Sequence, residues 1–195
     1  MENSKTGYGF KRDFDFLLSL ALLLIFWVPI VIISILVKLS SKGPVFYISD
    51  RVGLNNVIFK MYKFRTMRVN TPIVATHLIK DSDIFLTSIG RFLRKSSIDE
   101  LPQLYNILKG DMSFVGPRPA LFNQYDLIKL RTEKRIHKLI PGLTGWAQIN
   151  GRDELPIPVK VELDDYYMKN KSFLFDIKIM LMTLLKVARS EGIKH

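Results

Sequence analysis

Residues 94–119 read RKSSIDELPQLYNILKGDMSFVGPRP, and the interpretation of the whole chain starts from this stretch. Apolar side chains recur at helical spacing over residues 98–108, which predicts a helix. Two adjacent acids, Asp99 and Glu100, fall at the start of that helix. The following Gly110 is typical of a helix end, because glycine readily adopts the left-handed conformation needed there.

The paired acids have two interpretations. Ser97 followed by Glu100 fits a capping box, and acids in a first turn also complement the helix dipole. The alternative is phosphate chemistry, because residues 116–119 (GPRP) predict a rigid turn with one guanidinium fixed between two prolines. Cations neutralise phosphate oxygens, while carboxylates hold Mg²⁺ or attack phosphorus. Acids beside a clamped arginine favour this second interpretation.

Four motifs occur in order: KFRTM at 63–67, SIDELPQ at 97–103, KGDMSFVGPRP at 109–119 and PGLTGWAQINGR at 141–152. Together they resemble the bacterial sugar transferases, and more narrowly the small monotopic phosphoglycosyl transferases that start glycan assembly on polyprenyl phosphate. The resemblance runs from the apolar N-terminus to about residue 185. It implies a monotopic enzyme on the cytoplasmic face of the bacterial inner membrane.

The reaction implied is transfer of a sugar 1-phosphate from a UDP-sugar to polyprenyl (undecaprenyl) phosphate, with release of UMP. We expect Asp99 to be the nucleophile that forms an aspartyl phosphosugar, and Glu100 to hold Mg²⁺. A solvated face is the alternative for the basic run after residue 59. The substrate-binding candidates are Arg118, Pro117, Pro119, Arg94, Lys63, Arg65 and Arg152.

Composition limits the class of protein. The 195 residues suit one ordinary core, the net charge is +11, and 48% of residues are hydrophobic. A basic and apolar chain predicts contact with an anionic membrane surface, with anionic substrates, or with both. The absence of cysteine excludes disulfides and thiol catalysis, and three dispersed histidines argue against a zinc site.

Residues 16–37 carry no charge and are long enough to cross a hydrocarbon core. The run is too long for a signal peptide and lacks a small-residue cleavage site. A single span is an alternative, but Pro29 lies mid-run and basic residues flank both ends. The family resemblance implies a re-entrant membrane helix that breaks near Pro29. We therefore predict a membrane segment at residues 1–40 and a catalytic domain at 41–195.

The rest of the chain predicts a mostly helical α+β fold. Strands at 45–48 and 57–64 form a small β-hairpin, residues 69–83 a surface loop, and residues 84–94, 121–137, 156–169 and 172–189 helices. The last helix is either a buried core helix or an interfacial amphipathic helix lying on the membrane.

Three other functions compete with this interpretation. A non-enzymatic basic peripheral membrane protein that binds anionic lipid explains the charge, but not the acids beside the Pro-Arg-Pro turn. The charge-free N-terminal run argues against nucleic acid as a partner. A phosphohydrolase would use the same acids with water. The sequence leaves open which sugar is transferred, the glycan pathway, the oligomeric state and the choice between Mg²⁺ and Mn²⁺.

Overall fold

A computed structural model describes residues 6–71, 82–151 and 155–188. Within these ranges the chain is mostly helical with two small sheets, which confirms the predicted α+β class. Short 3-10 turns lie at Leu54–Asn56, Ser82–Phe85, Ile98–Glu100 and Ile136–Lys138. The helices and strands in chain order are α1 (Thr6–Ser40), β1 (Phe46–Val52), β2 (Ile58–Phe64), α2 (Gly90–Lys95), α3 (Gln103–Lys109), β3 (Ser113–Val115), α4 (Tyr125–Glu133), β4 (Gly142–Thr144), α5 (Trp146–Ile149), α6 (Ile157–Asn170) and α7 (Phe173–Ala188).

The predicted hairpin is present, with β1 and β2 antiparallel in a register that pairs Phe46 with Phe64 and Val52 with Ile58. Helix α3 is fastened to this hairpin by Asn106, which is fully buried. Its side-chain amide donates to the Lys60 carbonyl at 2.7 Å and accepts from the Tyr62 N–H at 3.1 Å. This link holds the acid-bearing segment before α3 against the exit of β2.

Strands β3 and β4 pair in parallel, with Ser113 opposite Gly142 and Val115 opposite Thr144. Their backbones pass so closely that a Cβ atom on Gly142 or Gly145 would collide with the main chain of Gly116. These glycines therefore serve backbone packing at the start of the Pro-Arg-Pro turn.

Helix α1 contacts the rest of the protein near both of its ends. Near its N-terminus, the Arg12 guanidinium donates to the carbonyls of Ile107 and Leu108 at the end of α3. Near its C-terminus, Val37 is fully buried in a cluster with Phe64 and Leu93. The helix is continuous through Pro29, and the stretch Phe10–Ser40 is long and apolar enough to cross a membrane.

Helix α7 directs Asp176, Thr183 and Lys186 towards the domain and four leucines outwards, and Lys178 is exposed among those leucines. Asp176 is buried and accepts a hydrogen bond from the Tyr167 hydroxyl at 2.7 Å, and the Lys186 ammonium donates to the Ile149 carbonyl. Leu174 is 80% exposed, and Leu181, Leu184 and Leu185 on the same helix are also exposed. Of the two alternatives for this helix, a buried core helix does not fit, because α7 leaves a largely apolar face uncovered.

Two predicted helices are shorter than their periodicity indicated. The helix expected at 84–94 begins only at Gly90, because the Thr87 N–H pairs with the Thr66 carbonyl and Met67 bridges Leu86. The helix expected at 121–137 covers only Tyr125–Glu133, because Leu121 forms an isolated bridge with Arg51. Long-range backbone pairing overrides local helical preference in both places. Most of the predicted 69–83 loop lies outside the described residues.

Candidate active site

The two acids lie on the 3-10 turn Ile98–Glu100, between α2 and α3. The capping-box interpretation does not hold: Ser97 has a left-handed backbone (φ 57°) and makes no capping hydrogen bond through its side chain. The α-helix itself starts later, at Gln103, and ends at Gly110 as predicted. Asp99 is only 8% exposed. The acids are therefore not the solvated first turn of a helix, and their burial requires another explanation.

Glu100 lies between two cations from distant parts of the chain. The Lys63 ammonium at the end of β2 is 2.6 Å from Glu100 Oε1, and Arg118 Nη1 is 3.7 Å from the same oxygen. All three side chains are partly exposed, so a ligand can approach them from solvent. The structure thus brings together the acids, Lys63 and the arginine of the Pro-Arg-Pro turn.

The pKa of the Asp99 carboxyl is raised from its ordinary 3.8 to about 6, chiefly by burial and in part by the nearby Glu100 charge. The positive charges of Lys63, Arg94 and Arg118 act on Asp99 in the opposite direction and lower its pKa. Asp99 is thus a poorly hydrated carboxylate that is mostly ionised at neutral pH. A perturbed carboxyl inside a cluster of cations is typical of a reactive group that meets an anionic ligand.

Arg94 is held beside the acids by a residue that sequence reasoning did not single out. Its Nε donates to the Thr66 hydroxyl at 2.9 Å, and Thr66 is buried just beyond β2. Thr66 belongs to the KFRTM motif, so the motif itself was the available signal. Through this contact the β2 exit orients two cations towards the acids, Lys63 directly and Arg94 through Thr66.

Arg65 does not join this cluster. Its guanidinium donates to the carbonyls of Lys42 and Ser41 at 2.6 and 2.8 Å, just after the end of α1, and the side chain is 4% exposed. The guanidinium expected near the phosphates instead has both of its terminal nitrogens bound to main-chain carbonyls. Arg152, the other arginine expected near the nucleotide, lies outside the described residues.

The two prolines of the turn are anchored through their carbonyl oxygens. The Gly142 N–H donates to the Pro117 carbonyl at 2.9 Å, and Arg51 Nη1 donates to the Pro119 carbonyl at 3.2 Å. Arg118 between them is the residue whose side chain extends to Glu100. Pro117 and Pro119 therefore shape the turn, and the guanidinium is what it presents to the site.

The donor set fits a hard divalent cation held jointly with a substrate. Mg²⁺ is usually bound by one or two carboxylates together with phosphate oxygens. Glu100, the residue expected to hold Mg²⁺, is a partly exposed carboxylate of this kind. The described residues contain no cluster of three or more acidic or histidine ligands.

Comparison with known proteins gives a consistent result. A family model described as bacterial sugar transferase matches residues 6–190. The chain is 47% identical over 187 residues to the uncharacterized sugar transferase EpsL of Bacillus subtilis strain 168, covering 95% of this chain and 90% of EpsL.

Two further relatives carry more specific names. The chain is 39% identical to the UDP-glucose:undecaprenyl-phosphate glucose-1-phosphate transferase of Escherichia coli K12, covering 90% of this chain and 39% of that protein. It is 36% identical to the UDP-N-acetylgalactosamine-undecaprenyl-phosphate N-acetylgalactosaminephosphotransferase of Aeromonas hydrophila, covering 95% of this chain and 45% of that protein. The chain thus spans less than half the length of either.

Proposed function

The chain belongs to the bacterial sugar transferase family, and from this premise we propose that it moves a sugar 1-phosphate from a UDP-sugar to polyprenyl phosphate. The relatives named for such a reaction support the substrate class. The observation that carries the proposal is the buried carboxylate of Asp99 surrounded by Lys63, Arg94 and Arg118. An anionic diphosphate complements those cations, and its phosphorus is an electrophile for the carboxylate.

In the first step, an Asp99 carboxylate oxygen attacks the phosphorus next to the sugar. The new bond joins that oxygen to phosphorus, the bond from this phosphorus to the bridging oxygen breaks, and UMP leaves with the bonding electrons. Arg118 grips the phosphate oxygens in a forked geometry, and Lys63 offsets their charge. When bound, Mg²⁺ held by Glu100 and the diphosphate would neutralise charge on those oxygens.

In the second step, a phosphate oxygen of polyprenyl phosphate attacks the same phosphorus. The bond between phosphorus and the aspartyl oxygen breaks, the carboxylate of Asp99 is regenerated, and a polyprenyl diphosphate sugar is formed. Burial of Asp99 supports this route, because limited access of water protects an acyl phosphate from hydrolysis.

The contacts of α1 support a monotopic topology, in which the protein lies on one face of the membrane. A straight span would carry one end about 30 Å away from the domain across the hydrocarbon core. Here Arg12 and Val37, near opposite ends of the helix, both contact the same domain. We infer that both ends of α1 lie on the membrane face that carries the domain, with Pro29 between the two contact regions, and that the exposed leucines of α7 lie in the cytoplasmic leaflet.

A labelling experiment tests this topology, and the lack of native cysteine makes it simple. We expect Asp13→Cys and Lys42→Cys, both exposed and near opposite ends of α1, to react with a membrane-impermeant maleimide in inverted inner-membrane vesicles. Labelling of only one of the two would contradict the monotopic arrangement and favour a span.

The proposed activity is tested with a panel of UDP-sugars, Mg²⁺ and undecaprenyl phosphate. We expect UMP to appear in step with a lipid-linked product for at least one sugar. Omission of the lipid acceptor should limit UMP to about one equivalent per enzyme, because the intermediate then accumulates. Continued UMP release together with free sugar phosphate would show a phosphohydrolase instead. If no UDP-sugar yields UMP, the proposal that the protein acts on UDP-sugars is wrong.

A further inference from the structure

Cations hold the backbone of the Pro-Arg-Pro turn through its carbonyl oxygens. Prolines at 117 and 119 have no N–H to donate, so hydrogen bonds to these two residues must run to their carbonyls. Two cations from separate parts of the chain bind the turn itself: Arg131 of α4 donates to the Arg118 carbonyl at 2.8 Å, and Arg51 of β1 donates to the Pro119 carbonyl at 3.2 Å. Lys11 of α1 donates to the Val115 carbonyl at 2.9 Å, on β3 just before the turn.

Arg131 acts on the residue whose side chain reaches the acids. It lies on α4, is 7% exposed, and directs Nη1 to the Arg118 carbonyl. Its other donors, Nε and Nη2, bind Asp164 Oδ2 of α6 at 3.0 and 2.7 Å. Asp164 is 2% exposed. The guanidinium is therefore fixed on one side by a buried carboxylate and holds the Arg118 backbone with the other.

Packing alone does not hold the turn in place. A cavity of about 30 Å³ borders the turn, and its lining includes Pro117, Pro119, Arg131 and His137. Close-packed side chains are missing on that side, so the turn depends more on its hydrogen bonds for its position. The hydrogen bond from Arg131 therefore matters more here than it would in a solid core.

A buried ion pair is a poor source of net stability, because the two charges lose their hydration and their attraction only partly offsets that loss. Apolar residues of similar volume would fill the space between α4 and α6 at no greater cost. An arginine, however, can bind Asp164 and still donate to a main-chain carbonyl. This geometry points to a positional role.

We propose that Arg131, oriented by Asp164, is a positioning residue that fixes the Arg118 backbone so that the Arg118 guanidinium meets the diphosphate. The catalytic consequence rests on the proposed function, whereas the positioning of the turn does not. Displacement of a binding group by about 1 Å can cost roughly 100-fold in rate. Arg131 thus acts through Arg118 without touching the substrate.

The test compares Arg131→Lys with Lys134→Met. Lysine keeps the charge, but its single nitrogen cannot replace the two arginine nitrogens that bind Asp164 and the third that binds the Arg118 carbonyl. The matched control breaks the exposed Lys134–Glu162 pair, which also joins the end of α4 to α6 but does not touch the turn. Asp164→Asn is the second variant, and it gives the same comparison if Arg131→Lys does not fold.

Two readouts are measured on the full chain. Hydrogen exchange of residues 116–121 should become faster in Arg131→Lys while α4 and α6 keep wild-type protection, and Lys134→Met should change neither. UMP formation should lose roughly 10- to 100-fold in kcat/KM in Arg131→Lys. In a protein that already carries Arg118→Lys, adding Arg131→Lys should cause little further loss of kcat/KM, because both changes act on one interaction.

Each outcome decides between the alternatives. Faster exchange throughout α4 and α6, with losses that multiply in the double variant, would show a merely structural ion pair and overturn the inference. Unchanged exchange and activity in Arg131→Lys would overturn it as well. A third outcome separates the two proposals. If the wild type releases no UMP but Arg131→Lys still shows faster exchange confined to residues 116–121, the proposed function is wrong and the positioning role of Arg131 is kept.

Discussion

Replacement of Asp99 by asparagine is expected to abolish turnover, with UMP formation falling by about 10⁴-fold or more. The amide keeps the size of the side chain but cannot form the bond to phosphorus on which the proposed mechanism depends. Steady-state UMP release with the preferred UDP-sugar and undecaprenyl phosphate measures the effect. Asp50→Asn is the matched control, because Asp50 forms an exposed pair with Lys60 and should leave turnover unchanged.

The same variant should be at least as stable as the wild type, which separates lost chemistry from lost structure. The folded pKa of Asp99 is about 6, above its ordinary 3.8, so the folded state favours the neutral acid. Ionisation in the folded protein therefore costs stability at pH above about 6, and that cost disappears as pH falls below the unfolded value. At pH 7.5 asparagine should raise the free energy of unfolding by about 1–2 kcal/mol. A folded Asp99→Asn protein with substantial turnover would rule out Asp99 as the nucleophile.

Replacement of Arg118 by lysine is expected to lower kcat/KM for the UDP-sugar by roughly 100-fold. An ammonium retains the charge next to Glu100 but cannot donate two parallel hydrogen bonds to phosphate oxygens. Initial rates over a range of UDP-sugar concentrations measure this loss. Arg91→Lys provides the control, because Arg91 is exposed on α2 and the cations whose charges act on Asp99 are Lys63, Arg94 and Arg118. Wild-type kcat/KM in Arg118→Lys would contradict a forked grip on the diphosphate.

Local patterns were enough to predict the elements that carry the site. The β1–β2 hairpin, the end of α3 at Gly110 and the helices after residue 156 follow from short-range periodicity and turn residues. The motifs also led to the acids, Lys63 and Arg118, which the structure places together. These residues lie in contiguous motifs, so a single sequence was informative about them.

The remaining features depend on contacts between distant segments. Arg65 belongs to the same motif as Lys63 and Thr66, yet its guanidinium binds the carbonyls that follow α1. Nothing in the local sequence shows whether an arginine here points to those carbonyls or to the acids. Likewise, the Arg131–Asp164 pair joins residues 33 positions apart and leaves no short-range signal. The capping box failed for a related reason: Asp99 is buried against long-range partners, and the α-helix starts only after Pro102.

The most direct test of the central claim is to locate the covalent intermediate. Wild-type enzyme is incubated with Mg²⁺ and a UDP-sugar that carries labelled phosphorus next to the sugar, without polyprenyl phosphate, and is then digested and mapped by mass. The account predicts a sugar phosphate bound to Asp99 that is discharged when polyprenyl phosphate is added. Label on another residue, or UMP release with no label on the protein, would contradict it.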